Sequence, residues 1–237
     1  MKNKLKKFLC GFEKHEIILW ALSVFSIIIS FCLFDRENYL TLAASLIGVT
    51  SLIFSAKGNP TGQALMVVFS MLYGIISLTF RYYGEMITYV FMTMPMAVFS
   101  LVSWIKNPYE NNKAEVKVNS LSKKESCFMF GLTVAVTVAF YFVLKAFNTA
   151  NLVFSTISVT TSFLAVYLSL RRSAFFALAY AANDVVLIVL WILASVVDSR
   201  YVSVAVCFCA FLINDIYGFI NWLKIKQRQS VGQGNDK

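Results

Sequence analysis

Residues 174–222 read AFFALAYAANDVVLIVLWILASVVDSRYVSVAVCFCAFLINDIYGFINW, two apolar runs joined by the short polar turn Asp198-Ser199-Arg200. Each run is long enough to cross ~30 Å of hydrocarbon as a helix. Each also carries an Asn-Asp pair, Asn183-Asp184 in the first and Asn214-Asp215 in the second. A carboxylate at the bilayer centre costs ~2.5–3.5 kcal/mol on insertion scales, so such groups face a bundle interior or a watered path. Trp191 follows Asp184 by seven residues, two helical turns, and shares its face. Asn214, Tyr217, Gly218 and Asn221 recur at i, i+3, i+4 and i+7 and make a second polar and aromatic stripe. Two such stripes on neighbouring spans predict a cavity lined for a small solute.

Working outward, the same reading yields eight apolar segments near 17–34, 39–55, 64–81, 86–105, 127–147, 151–170, 174–197 and 201–223. Strand-like alternation is absent, so the chain is predicted to be an all-α membrane protein with eight transmembrane helices. Lys and Arg fix the orientation. With the N-terminus inside, seventeen of the 21 basic residues fall on the cytoplasmic side and only Arg36, Arg81, Lys145 and Arg200 fall outside. Both termini are therefore expected in the cytoplasm, in the cell membrane. The charged start of the chain looks like a signal peptide, but the apolar run reaches Phe34 without a small-x-small cleavage site and reads as a retained span.

Composition agrees: 59% of residues are apolar, 16% aromatic and 14% charged, against about 25% charged for soluble domains. The net charge of +9 does not imply a nucleic-acid partner, because the basic residues flank apolar runs and build no basic face. None of the five cysteines forms a C-x-x-C pair, and Cys207 and Cys209 point opposite ways on a helix, so no metal is expected. Catalytic and nucleotide-binding motifs are missing, so neither an enzyme nor a cofactor is indicated.

A repeat underlies the spans. Sliding the chain by 118 residues lays 41–106 on 159–224 without a gap, placing Ser51-Leu52 on Ser169-Leu170, Leu72 on Leu190, Tyr73 on Trp191, and Trp104 on Trp222. The copies start an even number of spans apart and run in the same direction, an architecture whose site lies between the halves at mid-depth. The expected organisation is 1–38 as cytoplasmic N-terminus and extra helix, 39–106 as the first three-helix repeat, 107–150 as linker and connecting helix, 151–224 as the second repeat, and 225–237 as a disordered tail. The first repeat has apolar residues where the second has its Asn-Asp pairs, so its expected contribution to the site is Gln63, Tyr73, Tyr89 and Thr93. Tyr73, Trp191 and Tyr217 are expected to sandwich a flat ring, and a cationic ring would gain ~1–2 kcal/mol from their faces. The competing reading makes the asparagines helix–helix glue. Trp104 and Trp222, beside Lys106 and Lys224, read as interfacial anchors. Arg81 and Glu85 read as a solvated turn or an ion pair at the outer surface. Pro95 is expected to kink its span.

Arg81-Tyr82-Tyr83-Gly84-Glu85-Met86-Ile87-Thr88-Tyr89, the Pro95 span ending in Trp104, Asn183-Asp184-Val185-Val186 leading to Trp191, and Asn214-Asp215-Ile216-Tyr217-Gly218-Phe219-Ile220-Asn221-Trp222 together resemble Gram-positive members of the PnuC family of nicotinamide riboside transporters. The likeness covers about 39–224. It implies a 3+1+3 bundle similar to the sugar-transporting SWEET proteins. It also implies facilitated diffusion of a vitamin precursor, trapped by cytoplasmic phosphorylation, with riboflavin or thiamine carried by some relatives. A homotrimer is implied by the same route, and Asp184 matches an acidic position of the family. The family's W-x-x-W pairs are incomplete here, with Leu101 and Phe219 in place of the first tryptophan, and Phe69 stands where an asparagine is common.

Overall fold

The structure is a computed structural model that describes residues 12–79, 82–110, 112–149 and 151–235. Among the described residues eight helices are long and apolar enough to cross a membrane. They are α1 (Lys14–Phe34), α2 (Tyr39–Ala56), α3 (Pro60–Thr79), α4 (Tyr83–Lys106), α5 (Lys123–Ala146), α6 (Leu152–Leu170), α7 (Phe176–Ser195) and α8 (Tyr201–Asn235). A two-stranded antiparallel hairpin, β1 (Pro108–Tyr109) and β2 (Asn112–Val116), follows α4. The chain is thus a multi-pass membrane protein.

Local chemistry sets the helix ends. Between α2 and α3, Gly58 takes the left-handed φ of +68°, the Asn59 side chain accepts from Thr61 N, and Pro60 opens the next helix without needing its missing N–H. Ser122 caps α5 by accepting from Glu125 N, and Asn38 caps α2 by accepting from Thr41 N.

Packing displays the repeat. Helix α3 lies against α2 and α4, and α7 lies against α6 and α8. The halves join by exchange: α8 packs on α2, and α4 packs on α6. The remaining helices are peripheral, α1 covering α2 and α8 while α5 covers α6. Their largely uncovered apolar faces, with Leu22, Phe25, Phe128 and Phe142 each at 63% exposure, suit them to face lipid.

Close approach of α2 and α3 depends on Gly62. A Cβ there would stand 2.5 Å from Ser55 N and 2.8 Å from the Ser51 carbonyl, both backbone atoms, and the Ser51 hydroxyl donates to Gly62 O at 2.8 Å. Gly62→Ala is expected to destabilise the protein by about 1–3 kcal/mol or more through overpacking. Gly131→Ala, where nothing lies within 4 Å, should be neutral or stabilising by about 0.5–1 kcal/mol. Thermal unfolding in detergent compares the two.

Inside α4, Thr88–Thr93 form a π-helical turn just ahead of Pro95, so the expected distortion of this span is a widened turn next to the proline. The segment expected to be a loose polar linker is instead a strap across the end of the bundle that carries most of the Lys and Arg, called the basic end below. Val116 N donates to Gly58 O and Asn119 N to Arg172 O, which ties the strap to the equivalent turn of each repeat. Polar composition alone reads as loop, yet each of these backbone groups finds a partner.

The tail expected to be disordered from 225 continues α8 as far as Asn235. The strap holds it there: Gln229 is buried, donating to Val116 O and accepting from Val118 N, and Arg228 pairs with Glu115.

Trp104 and Trp222 are not surface anchors but have no exposed area. Their rings meet at 5.3 Å between the halves. The Trp104 indole donates to Ser169 O at 2.9 Å, and Trp222 donates to Ser55 O at 2.8 Å. Each indole therefore adds a second hydrogen bond to a carbonyl in the last turn of the other repeat's first helix, where Ser169 O also accepts from Arg172 N and Ser55 O from Gly58 N. Span-end position suggested an interface, but these ends converge on the pseudo-symmetry axis.

Candidate functional site

At mid-depth between the repeats lies a small cavity of ≈ 20 Å³. Asn183 and Asp184 reach it from α7, Asp215 from α8, Tyr89 and Thr93 from α4, and Tyr180 and Ser162 from the second repeat. Five of the sequence-predicted residues therefore meet at one point. The π-turn and Pro95 bear on this geometry, because Tyr89 and Thr93 both lie on the distorted stretch of α4. The volume is that of one water-sized occupant, not of the vitamin-sized hollow expected, because side chains from both halves close on it.

Asp184 and Asp215 are 3% and 4% exposed and hydrogen-bonded to each other. Two carboxyl groups form such a bond only with a proton between them, so the pair in contact carries at most one negative charge. Apart from that contact, Asp184 Oδ2 is buried with no hydrogen-bond partner among the described residues. Asn183 is fixed by its oxygen, which accepts from Thr161 at 2.8 Å and Ser162 at 3.0 Å, with the Ser158 hydroxyl 3.4 Å away. The α6 hydroxyls thus orient the amide and leave its NH2 to offer to a guest. Thr93 Oγ1, also buried without a partner, adds a further polar atom.

Aromatic layers close both ends of this cavity. Towards the end opposite the strap, Trp191 donates its indole N–H to the Tyr73 hydroxyl at 2.8 Å and packs on Tyr82 at 4.9 Å and Tyr201 at 5.5 Å. Towards the basic end, Trp104, Phe176 and Trp222 interlock, with 4.8 Å between Phe176 and Trp222. The expected sandwich of Tyr73, Trp191 and Tyr217 is not formed. Tyr73 and Trp191 meet edge to face at 6.2 Å, leaving no slot between them, and Tyr217 lies elsewhere.

The second predicted stripe faces other helices. Asn214 donates to Ser23 Oγ of α1 at 2.8 Å, Tyr217 donates to Glu16 at 2.9 Å, and Asn221 donates to Ala56 O at 2.8 Å. Glu16 also accepts from Lys57 at 2.7 Å and from Glu13 N at 2.7 Å, so Asn214 and Tyr217 fasten α1 to the repeats while Asn221 ties α8 to α2. The His15 ring nitrogen Nε2 stands 3.1 Å from the Tyr217 hydroxyl. The physical reason is that α8 is flanked on both sides. Asp215, turned by one residue, faces the cavity while Asn214 faces α1. Gln63 is buried but does not line the cavity.

Sequence reasoning missed Glu85. It is 1% exposed and bonded to Ser158, with Oε2 buried and unpartnered among the described residues. Ser158 has one proton and lies 3.4 Å from Asn183, so a polar chain runs from Glu85 towards the cavity. Arg81, its expected ion-pair partner, lies outside the described residues. The signal was available: Gly84-Glu85 begins the uninterrupted apolar run, and a span starting two residues earlier would have buried the carboxylate.

Comparison with known proteins agrees with this architecture. The profile of the nicotinamide mononucleotide transporter family matches residues 38–224. The nicotinamide riboside transporter PnuC of Neisseria mucosa is 25% identical over 230 residues, which cover 95% of this chain and 87% of that protein. Its namesake from Haemophilus influenzae is 20% identical over 224 residues, covering 94% and 96%. The crystal structure of the vitamin B3 transporter PnuC superposes with a TM-score of 0.81 over 92% of this chain and 94% of that one, at 21% identity, which shows a shared fold. With the family profile spanning both repeats and the helix between them, this chain belongs to the nicotinamide mononucleotide transporter family.

Proposed function

We propose that this protein imports nicotinamide riboside by facilitated diffusion through the cavity at Asp184 and Asp215. The observation that carries the reading is a buried acid pair at mid-depth between two parallel repeats. Ionised once, the pair keeps one shared proton and offers a single negative charge, the counterpart of the single positive charge on a pyridinium ring. Tyr89 and Tyr180 supply aromatic area for that ring, and Asn183 supplies a donor for its carboxamide or a ribose hydroxyl. Nicotinamide riboside names the curated relatives, which supports the same choice.

The cavity chemistry favours the riboside over the mononucleotide. Among the described residues no Lys, Arg or His lines it, so a phosphate would enter without a counter-charge and beside two carboxyl groups. Admission of the riboside requires the aromatic layers to open in turn, one half rocking against the other. The positive-inside bias supports a cytoplasmic location for the strap and both termini in a chain of the cell membrane, and the family resemblance supports trapping of the imported riboside by phosphorylation.

Liposomes containing the purified chain test this reading. Uptake of labelled nicotinamide riboside should saturate, and unlabelled riboside should compete at least tenfold better than nicotinamide mononucleotide, thiamine or riboflavin. Equal competition by the mononucleotide, or better competition by thiamine or riboflavin, would reassign the substrate.

A further inference from the structure

A second hollow of ≈ 380 Å³ opens at the basic end, bounded by the strap, α5, α8 and the turn between α6 and α7. Its lip is polar, with Asn119, Ser120 and Lys226, and its floor is apolar, with Met129, Phe130 and Leu168. The floor continues onto the lipid-facing side of α5, where Phe130 is 58% exposed.

The cations around this hollow are not equivalent. Arg171 is bonded to Glu125 and Arg228 to Glu115. Lys226 is half-buried and has no ion-pair partner among the described residues. Glu115 and Glu125 are already engaged by arginines, so neither is left to neutralise it. The Asn119 side chain likewise has no hydrogen-bond partner among the described residues, although its backbone N–H donates to Arg172 O. A partly desolvated cation without a counter-charge, beside an apolar slot open to hydrocarbon, matches an amphiphile with an anionic head and an alkyl tail. A soluble anion would use only the lip.

We propose that this hollow binds one anionic phospholipid, its phosphate held by Lys226 and Asn119 and its acyl chain laid over Met129 and Phe130. The site touches the point where the strap pairs with the second repeat, since Asn119 bridges to Ser173. Lipid bound there braces the strap against the α6–α7 turn.

The test uses the full chain in neutral detergent with three probes: phosphatidylglycerol, phosphatidylcholine with the same acyl chains, and inorganic phosphate. Native mass spectrometry reads retained lipid, and thermal unfolding reads bracing. Phosphatidylglycerol should be retained and should raise the unfolding midpoint, with little effect from the other two. Lys226→Gln should weaken its retention about fivefold, the worth of one basic residue beside an anionic leaflet. Lys224→Gln, an exposed change of equal charge outside the hollow, should not. Met129→Trp, which fills the floor, should also displace the lipid, and midpoints measured without lipid show whether each variant folds. Equal retention of phosphatidylcholine, an equal loss in Lys224→Gln, or the full shift from inorganic phosphate alone would overturn the proposal.

Discussion

The double replacement Asp184→Asn/Asp215→Asn is expected to lower nicotinamide riboside uptake by about 100-fold, while either single replacement lowers it by about tenfold or less. The asymmetry follows from the shared proton. Each single variant keeps one carboxyl group, and the new amide donates a hydrogen bond to it, so one negative charge remains beside the guest. Only the double variant loses that charge, and a hydrogen bond to a charged group is worth ~1.5–3 kcal/mol, about 10- to 150-fold. Both side chains are almost completely buried and keep their shape on replacement, so the fold should survive. Two singles that each abolish uptake would show that the carboxylates act as separate charges.

A second large effect is expected on stability. Trp222→Ala should destabilise the protein by about 3–5 kcal/mol, the range for truncating a fully buried large aromatic side chain. It also removes the packing against Trp104 at 5.3 Å and Phe176 at 4.8 Å, and one of the two hydrogen bonds to the Ser55 carbonyl, which keeps that from Gly58 N. In a chain of this length the midpoint should fall on the order of 10 °C. Trp222→Phe retains most of the ring and loses the indole donor while Ser55 O keeps its bond from Gly58 N, so its cost should be about 0.5–1.5 kcal/mol, that of one hydrogen bond. Trp104→Ala should behave alike, because the two tryptophans make equivalent bonds across the axis. A Trp222→Ala protein as stable as the parent would mean that the halves are held together elsewhere.

The sequence made some levels of this structure legible and hid others for definite reasons. Span number and the repeat follow from hydropathy and register, which depend on many residues at once, and the packing of α8 on α2 and of α4 on α6 displays both. Asp184 and Asp215 were legible as buried polar residues because charge at that depth is costly wherever it points. Which neighbour a polar face meets is harder to read. Asn214 and Asp215 are adjacent in sequence and turn to different helices, and periodicity identifies a stripe without naming its partner. Tyr217 and Asn221 went to the α1 and α2 seams for that reason. Glu85 was hidden by a boundary drawn two residues late, and the strap by a polar composition that conceals backbone pairing. The tail reads as disordered from its own residues, since the contacts that order it come from Glu115, Val116 and Val118.

These results make the central acid pair the point on which the account turns. The cavity seen here admits one water-sized occupant, so binding of a vitamin precursor requires the aromatic layers around it to part. A structure of this protein determined with nicotinamide riboside bound tests the claim most directly. The account expects the pyridinium ring between the two repeats, beside Tyr89 and within about 4–6 Å of an Asp184 or Asp215 carboxyl oxygen. A riboside bound at the α1 seam or on the lipid-facing surface, with the acid pair still closed on itself, would contradict it.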